Sequence, residues 1–333
     1  MLNNIEIKNF GPLNDIVWNN LSGINLIIGP NDSGKTFLLK MLYSAMRTLE
    51  DYKRGDEPKQ ISEILAEKLY WTFQPDKIGD LVTKGTDNTS LSCNITFDQQ
   101  KFCYKFGKDT RKRISSIENH VNSRSSNSIF FPAKEVLSLD SIILKSREQD
   151  KLFGFDDTYL DLVRALRQSS SNRNTEFTQV RQKLEEISDG KVEYDETSKR
   201  WQFKKGNQKF PLGVTAEGIK NLAILDNLLS GPYLDKESLI FIDEPESALH
   251  PIAISQLLDI IALLSECGIQ FFLASHSYFV VKKLFLLAQK QNLSIPVISA
   301  NQSEWQYANL KNEMPDNPII DESIRLYKEE VWS

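Results

Sequence analysis

The residues with the clearest chemistry lie in one short stretch, Gly23 to Thr36, with the sequence GINLIIGPNDSGKT. Its second half has the pattern GxxxxGK[ST], in which glycines let successive backbone N–H groups face a phosphate group. Lys35 would contact the β- and γ-phosphates, and the Thr36 hydroxyl would bind Mg²⁺. The stretch therefore predicts a nucleoside triphosphate site rather than a glycine turn without a ligand. The residues expected to contact the nucleotide here are Asn31, Asp32, Ser33, Gly34, Lys35 and Thr36.

A second stretch, SLIFIDEP from Ser238 to Pro245, carries two carboxylates. Its consecutive apolar residues predict a strand covered on both faces, as in a parallel sheet. Asp243 and Glu244 follow at the carboxyl end, which is where open α/β sheets bind ligands. Phosphoryl transfer needs one carboxylate for Mg²⁺ and a second group that orients or deprotonates the attacking water. We therefore predict that Asp243 binds the metal ion and that Glu244 acts on the water.

The elements on either side of the glycine loop would hold it in place. The mostly apolar run from Ile24 to Ile28 predicts a short strand, and an apolar repeat at helical spacing begins at Phe37. A strand that enters the loop and a helix that leaves it are the context in which this motif binds phosphate. The N-terminus of that helix would add the positive end of its dipole.

Farther along the chain, the pattern alternates between strands and helices. SLSCNITF and KFCYKF predict a β-hairpin with its turn at Asp98 to Gln100, and a polar loop is expected at 107–127. The segment after the next strand, SIFFP, is mostly helical in pattern. One of its helices would be capped by Asp156 or Asp157, and another by Asn174.

Composition excludes several classes of protein. The formal charge of −5 in 333 residues gives no support for a surface dedicated to nucleic acid. The three cysteines are scattered without a CxxC pair, which excludes a disulfide framework and a cysteine-rich zinc site. The first residues lack the pattern of a signal peptide, and no apolar run approaches the ~18 residues of a transmembrane helix. We therefore expect a cytoplasmic protein with no membrane partner.

Three motifs together carry a resemblance to a known family. GPNDSGKT, LIFIDEPESALHP and QFFLASHS resemble the Walker A loop, the Walker B strand with its D-loop, and the switch-histidine region of ABC-type ATPases. The form of these motifs and the opening sequence IEIKNFGPLNDI are similar to those of the RecF/SMC-like branch. Within that branch, the similarity is to the OLD-like ATPases of prokaryotic defence systems. The resemblance covers essentially the whole chain. It implies an α/β fold with an ABC-type ATPase head, an antiparallel β subdomain and an inserted helical lobe.

On this basis we divide the chain into four parts. They are the N-terminal half of the ATPase core with the antiparallel subdomain at 1–132, the inserted helical lobe at 133–190, the C-terminal half of the core at 191–303, and a tail with a final helix at 304–333.

The resemblance also implies a role for each motif residue. Lys35 and Thr36 become the Walker A contacts, Asp243 the magnesium ligand and Glu244 the catalytic carboxylate, with ATP and Mg²⁺ as cofactors. His276, after the apolar strand IQFFLA, becomes the switch histidine that senses the γ-phosphate. The alternative for a histidine in this position is a surface or capping residue.

In this family two protomers sandwich ATP, and each supplies a signature loop to the nucleotide held by the other. The matching stretch here is GVTAEGIK, which departs from the LSGGQ sequence of transporters. Thr215 or Glu217 replaces the signature serine, and we predict that Thr215 or backbone amides near Gly218 reach the partner's nucleotide. The alternative is an ordinary helix start with Thr215 as its cap. His250 is assigned either to the dimer interface or to plain helix-start chemistry.

The function beyond hydrolysis is predicted from the rest of the sequence. Residues 277–333 contain no acidic cluster or histidine motif of a nuclease, so we expect no Toprim domain of the kind that often follows OLD-like ATPases. We predict a homodimer, or a higher oligomer of dimers, that regulates a separate effector such as a nuclease or toxin in antiviral defence. The alternative is a RecF-like DNA-binding repair ATPase, and the basic stretch at 199–209 leaves a nucleic-acid partner open. The altered signature disfavours a transporter subunit.

Overall fold

The computed structural model describes residues 1–13, 15–55, 59–85, 90–168, 175–301 and 304–332. Over these residues the strands are β1 (Leu2–Lys8), β2 (Ile16–Trp18), β3 (Ile24–Ile28), β4 (Ser90–Phe97), β5 (Gln100–Gly107), β6 (Ser116–Asn119), β7 (Ser128–Phe131), β8 (Lys191–Asp195), β9 (Arg200–Lys205), β10 (Gln208–Pro211), β11 (Leu239–Asp243), β12 (Gln270–Ser275), β13 (Pro296–Asn301) and β14 (Glu304–Asn309). The α-helices are α1 (Lys35–Asp51), α2 (Ile61–Phe73), α3 (Asp140–Leu144), α4 (Asp157–Gln168), α5 (Thr178–Ser188), α6 (Glu217–Ser230), α7 (Pro251–Glu266), α8 (Tyr278–Gln291) and α9 (Pro318–Trp332).

The central sheet has six strands in the order β14-β13-β3-β12-β11-β7. All neighbours are parallel except β14, which pairs antiparallel with β13 at one edge. Every residue of β3, β11 and β12 is buried, which explains why these strands are apolar runs rather than alternating sequences. Because β12 lies between β3 and β11, the loops that follow these three strands meet at one edge of the sheet.

The two faces of the central sheet carry different layers. On one face, Phe241 and Phe272 stack with their ring centroids 5.1 Å apart and pack with α1 and the antiparallel sheet. On the other face, Ile240, Phe271 and Leu273 join a second core with helices α4 to α8. Residues that alternate along each strand therefore belong to opposite cores, as expected for a sheet covered on both sides.

The antiparallel sheet has the order β2-β1-β4-β5-β6. Its predicted β4–β5 hairpin is confirmed, and the two turn residues Asp98 and Gln99 both have left-handed φ angles, as in a type I′ turn. The prediction of an unbroken loop at 107–127 was wrong, because Ser116–Asn119 form strand β6. This segment is short and polar, and it is a strand because β5 offers it a free edge, with Ile117 opposite Tyr104.

The part of the chain between β7 and α6 contains α3, α4, α5 and a three-stranded antiparallel sheet, β10-β9-β8. Asp156 directly precedes α4 and accepts a hydrogen bond from the Thr158 backbone N–H at 2.8 Å, as the capping prediction required. Asn174 lies outside the described residues. In the basic stretch at 199–209, the aromatic residues Trp201 and Phe203 are buried, so they belong to the core of an amphipathic hairpin.

The limits of 133 and 190 for the helical lobe remain a prediction. Within the described residues, no helix is both long enough and apolar enough to cross a membrane.

Candidate active site

The glycine loop is shaped by close backbone approaches. Gly34 directly precedes α1 with a left-handed φ of 89°, which favours glycine. A Cβ on Gly29 would lie 2.7 Å from the Ala300 Cβ and 2.8 Å from the Ser33 hydroxyl oxygen, so only glycine fits there. The Ser33 hydroxyl is itself buried without a hydrogen-bond partner in the described chain. The loop thus presents backbone N–H groups and a spare hydroxyl at the N-terminus of α1, where anions bind.

The Lys35 ammonium is held at the loop by two backbone carbonyls. Its Nζ donates hydrogen bonds to the oxygens of Gly29 at 2.9 Å and Pro30 at 2.8 Å. Burial lowers the pKa of Lys35, and the carboxylates of Asp243 and Glu244 act in the opposite direction. A buried cation that faces carboxylates is poised to interact with phosphate oxygens.

Asp243 and Thr36 come together although 206 positions of sequence separate them. The Thr36 hydroxyl donates a hydrogen bond of 2.8 Å to Oδ2 of Asp243, while Oδ1 of Asp243 is buried and has no partner among the described residues. Burial raises the pKa of Asp243 to about 6. A hydroxyl beside a buried carboxylate with one unused oxygen fits the oxygen ligands that Mg²⁺ prefers. No cluster of three or more His, Cys, Asp or Glu side chains that could hold a metal occurs in the described chain.

Glu244 faces the same space as the glycine loop. The cavity at the loop measures about 540 Å³ and includes Glu244 in its wall. Glu244 has a left-handed φ of 53°, and its N–H donates to the Ala274 carbonyl of β12 at 2.9 Å. This turn aims the side chain across the edge of the sheet, and the His276 Nδ1 lies 3.5 Å from its Oε1.

Glu246 is a site residue that sequence reasoning missed. Its Oε1 accepts hydrogen bonds from the Ser275 hydroxyl at 2.8 Å and from the His276 backbone N–H at 3.2 Å, and it lies 3.6 Å from the His276 Nδ1. The second oxygen, Oε2, is buried without a partner in the described chain. Glu246 therefore ties the loop after β11 to the loop after β12. The only local signal was a third carboxylate two positions after Glu244.

The D-loop continues from Glu246 into α7. His250 is the N-cap of that helix, since its Nδ1 accepts a hydrogen bond of 3.3 Å from the Ile252 N–H and Pro251 is the first helical residue. The alternative prediction, that His250 belongs to the start of a helix, is therefore confirmed. Its side chain is also exposed, so the assignment to a dimer interface stays a prediction.

The signature-like stretch forms the start of α6. Thr215 was proposed as the helix cap in the alternative interpretation, and that is wrong, because the N-cap is Ala216 and Thr215 ends a 3₁₀ turn. Glu217 is in the first turn of the helix, as expected. Gly218 is buried beneath the D-loop, where an added Cβ would lie 2.5 Å from the Ala248 carbonyl oxygen. The roles of Thr215 and Gly218 at a second nucleotide remain predictions.

The junction after β7 connects to α6 rather than to the cavity at the loop. Oε1 of Glu135 accepts a hydrogen bond of 2.8 Å from the Ser138 N–H, and its Oε2 lies 3.4 Å from the Lys220 Nζ. The Glu135 side chain is engaged with the helix that follows the signature-like stretch.

The structure thus brings the predicted loop residues, Asp243, Glu244 and His276 to one edge of the sheet. Other residues lining the loop cavity, such as Lys40 and Phe73, had no sequence signal beyond helical spacing. Lys40 also forms an ion pair of 2.6 Å with Asp156, which joins α1 to the start of α4.

Comparison with known proteins identifies the family of the chain. Residues 24–282 match the family described as "AAA domain, putative AbiEii toxin, Type IV TA system". The chain belongs to this AAA family. This chain is 21% identical to a protein named ATP/GTP phosphatase from Helicobacter pylori (strain ATCC 700392 / 26695). The similarity covers 94% of this chain and 99% of that protein. The chain is therefore an enzyme of the ATPase class.

Solved structures show the fold to which this AAA-family chain is similar. An SMC head bound to the C-winged helix domain of ScpA has a TM-score of 0.55 at 13% identity, covering 92% of this chain and 97% of the other. A structure of the recombination mediator protein RecF has a TM-score of 0.47 at 14% identity, covering 92% of this chain and 98% of the other. The fold is that of the ABC-type ATPase heads, as the sequence predicted.

Proposed function

We propose that the chain is a Mg²⁺-dependent ATPase that dimerises around ATP and uses binding and hydrolysis to regulate a separate effector protein. We place it with the OLD-like ATPases of prokaryotic antiviral defence. The proposal rests on the separation of two groups of residues that would both contact the nucleotide. Glu244 and the glycine loop share one cavity, whereas the stretch from Gly213 to Lys220 contributes none of its lining residues.

The position of the signature-like stretch supports a dimer. Gly218 packs under the D-loop of its own chain, so the start of α6 and the D-loop form one unit away from the loop cavity. A second copy related by two-fold symmetry would bring this unit to the open side of the nucleotide. A two-fold interface is self-complementary, so one contact of this kind completes both sites.

The residues divide the chemical work between them. The loop amides and Lys35 would bind the phosphates and offset their charge. Asp243 and Thr36 would hold Mg²⁺, which when bound stabilises the charge that develops on the transferred phosphoryl group. Glu244 would orient the attacking water and accept its proton, because it reaches the cavity at the loop from the end of β11. His276, beside Glu244, would hold that carboxylate in position.

The separate effector is proposed from the family. The family description names a toxin and a toxin–antitoxin system, which has two components. Beyond His276, the described residues form α8, β13, β14 and α9, and the two strands complete the ATPase sheet. The two strands of this described part of the chain therefore serve the ATPase fold.

The hydrolytic part of the proposal is tested with two substitutions. Glu244→Gln should keep nucleotide affinity, lower the turnover number by roughly 100-fold or more, and accumulate an ATP-dependent dimer during size-exclusion chromatography. Lys35→Ala should weaken ATP binding itself by at least about tenfold, measured by calorimetry. Glu237→Gln, at the opposite end of β11, is the matched control and should change neither. A Glu244→Gln variant with wild-type turnover would remove Glu244 as the catalytic carboxylate.

The effector is tested by purification of the tagged chain from cells that also express its genomic neighbours. We expect one neighbour to be retained, and its retention or activity to differ between wild type and Glu244→Gln. Metal-dependent cutting of DNA or RNA by the purified chain alone would overturn the separate-effector proposal. ATP-dependent and salt-sensitive binding of duplex DNA would instead favour the RecF-like alternative.

A further inference from the structure

The last helix of the described chain, α9, is anchored only at its beginning. Ile320 is 8% exposed and belongs to the core that contains helices α6 to α8. From Ile324 onward, every residue of the helix whose exposure is described lies open to solvent. The segment from Ile324 to Trp332 therefore projects beyond the body as about two and a half turns of free helix.

This free helix has an apolar stripe. Ile324, Tyr327 and Val331 are 45%, 66% and 58% exposed and follow Ile320 at spacings of four, three and four residues. That spacing places all four side chains on one face, in the a and d positions of a coiled-coil heptad. A monomeric protein rarely leaves a continuous apolar stripe exposed, so the pattern indicates a docking surface.

Two charges on the edge of the stripe identify the partner. Asp321 and Lys328 both take the e position of the heptad, and neither forms an ion pair with a described residue. They lie seven residues apart, about 10 Å along the helix, and cannot pair with each other within one copy. Arg325, by contrast, pairs with Glu322 and Glu329 on the solvent side of the same helix.

We propose that α9 pairs antiparallel with α9 of a second copy of this chain. In that arrangement e positions face e positions, so Asp321 meets the partner subunit's Lys328, and the symmetry repeats the ion pair. Ile324 packs against the partner subunit's Tyr327, and the reciprocal contact completes the centre of the interface. A parallel pair would instead place Lys328 beside the partner subunit's Ser323 and leave both charges without an opposite charge.

The contact is small and acts as a second self-association site. Nine residues of free helix per copy bury less than the ~1,200 Å² of a standard stable interface, so the helices alone should associate weakly. The surface lies on α9, none of whose residues lines the cavity at the glycine loop, and it needs no nucleotide. Where ATP also joins two copies, the tethered helices meet at a high effective concentration, which strengthens the assembly.

The interface is tested on the full-length chain without nucleotide by sedimentation velocity over a range of concentrations. Wild type should show a concentration-dependent dimer. The double variant Ile324→Ser with Tyr327→Ser should raise the dimer dissociation constant by at least about tenfold. Leu326→Ser is the matched control, because Leu326 is 53% exposed on the opposite side of the same helix, and it should leave the dimer unchanged.

Charge reversal tests the orientation. Asp321→Lys and Lys328→Asp should each weaken the dimer, and the two changes together should restore it, because the reversed charges again face each other. A wild type that stays monomeric at every concentration would overturn the proposal. Equal effects of Leu326→Ser and the stripe variant, or no recovery in the double reversal, would also overturn it. Unchanged ATP binding and circular dichroism show that each variant is folded, and the absence of nucleotide separates this result from that of the ATP sandwich.

Discussion

At the scale of single residues, Asp243 is a proposed Mg²⁺ ligand whose burial opposes its ionisation. Its carboxyl group is buried at the end of β11, and burial raises its pKa from the ordinary 3.8 to about 6. Between these values the folded chain holds more protons than the unfolded chain. The contribution of Asp243 to stability is therefore favourable at low pH and is lost as the pH rises through about 6. The same carboxylate that suits a cation destabilises the nucleotide-free fold at neutral pH.

This cost gives a pH-dependent prediction. Asp243→Asn should stabilise the nucleotide-free, chelator-treated chain at pH 8, because it removes the buried charge, and should change its stability little at pH 4. Thermal unfolding of both proteins across this range measures the difference, in which the titration of other groups cancels. A difference that does not vary with pH would contradict the raised pKa of Asp243.

Glu246 determines the position of His276. One of its oxygens accepts bonds from both Ser275 and the His276 backbone, which fixes the loop after β12 beside Glu244. We expect Glu246→Ala to lower the turnover number by roughly 10- to 100-fold while the affinity for ATP stays near wild type, because misplacement of a catalytic group by 1 Å has effects of this size.

Glu246→Gln is the conservative comparison for this prediction. The amide oxygen can still accept both hydrogen bonds, so a large part of the turnover should return. Loss of ATP affinity in parallel with turnover would show that Glu246 acts on the whole fold rather than as a positioning residue.

At the scale of elements, the start of α6 and the D-loop are in contact through one glycine. The space at Gly218 is closed by the Ala248 carbonyl at 2.5 Å and by a Leu249 methyl carbon at 2.6 Å from an added Cβ. Backbone cannot move aside as a flexible side chain does, so any larger residue must separate the two elements. A shift of α6 would therefore move the D-loop, and the reverse is equally true.

Gly218→Ala should accordingly destabilise the fold by about 1–3 kcal/mol, the usual cost of overpacking, and should slow ATP hydrolysis. Gly213→Ala is the matched control in the same stretch, since no atom lies within 4 Å of its added Cβ. It should change stability by less than about 0.5 kcal/mol. Chemical denaturation and steady-state turnover measure both, and equal effects of the two alanines would refute the contact as the cause.

At the scale of the whole molecule, Asp161 joins the segment between β7 and α6 to the nucleotide-binding core. Its Oδ2 accepts a hydrogen bond of 2.9 Å from the Tyr43 hydroxyl and lies 3.4 Å from the Arg47 Nε and 3.7 Å from the Lys68 Nζ. Burial opposes its ionisation, but Lys68 and Arg47 outweigh burial and hold the pKa of Asp161 below its ordinary value. Arg47 lies on α1, the helix that follows the glycine loop. This cluster therefore joins α4 to the helix that begins at the candidate site.

Asp161→Asn should lower the free energy of unfolding by about 3 kcal/mol, because it leaves buried cations without their carboxylate. The loss should be largest near neutral pH and should shrink as the pH falls below that at which Asp161 ionises in the unfolded chain. Glu67→Gln breaks the exposed pair with Lys59 at 2.8 Å and should cost less than about 1 kcal/mol. Similar losses in the two variants, measured by denaturant unfolding, would argue against a buried network at Asp161.

Local sequence patterns were sufficient to predict the elements whose structure depends on residues close together in the sequence. The glycine loop between a strand and a helix, the carboxylates after β11 and the β4–β5 hairpin each depend on residues within a few positions of one another. The ABC-type fold was implied by the resemblance of the three motifs and their order to those of ABC-type ATPases. The same local reasoning failed at β6, where a polar segment is a strand only because β5 has a free edge.

The contacts that couple the site to the rest of the chain depend on distant residues, and no local pattern encodes them. Glu246 meets His276 because β11 and β12 are neighbours in the sheet, and Gly218 meets Ala248 because α6 packs beneath the D-loop. Asp161 gathers cations from two other helices, which helical spacing alone could not foresee. Short sequence motifs determine which residues can carry the chemistry. The contacts between the site and the rest of the chain follow from the strand order and helix packing, which bring those motifs together.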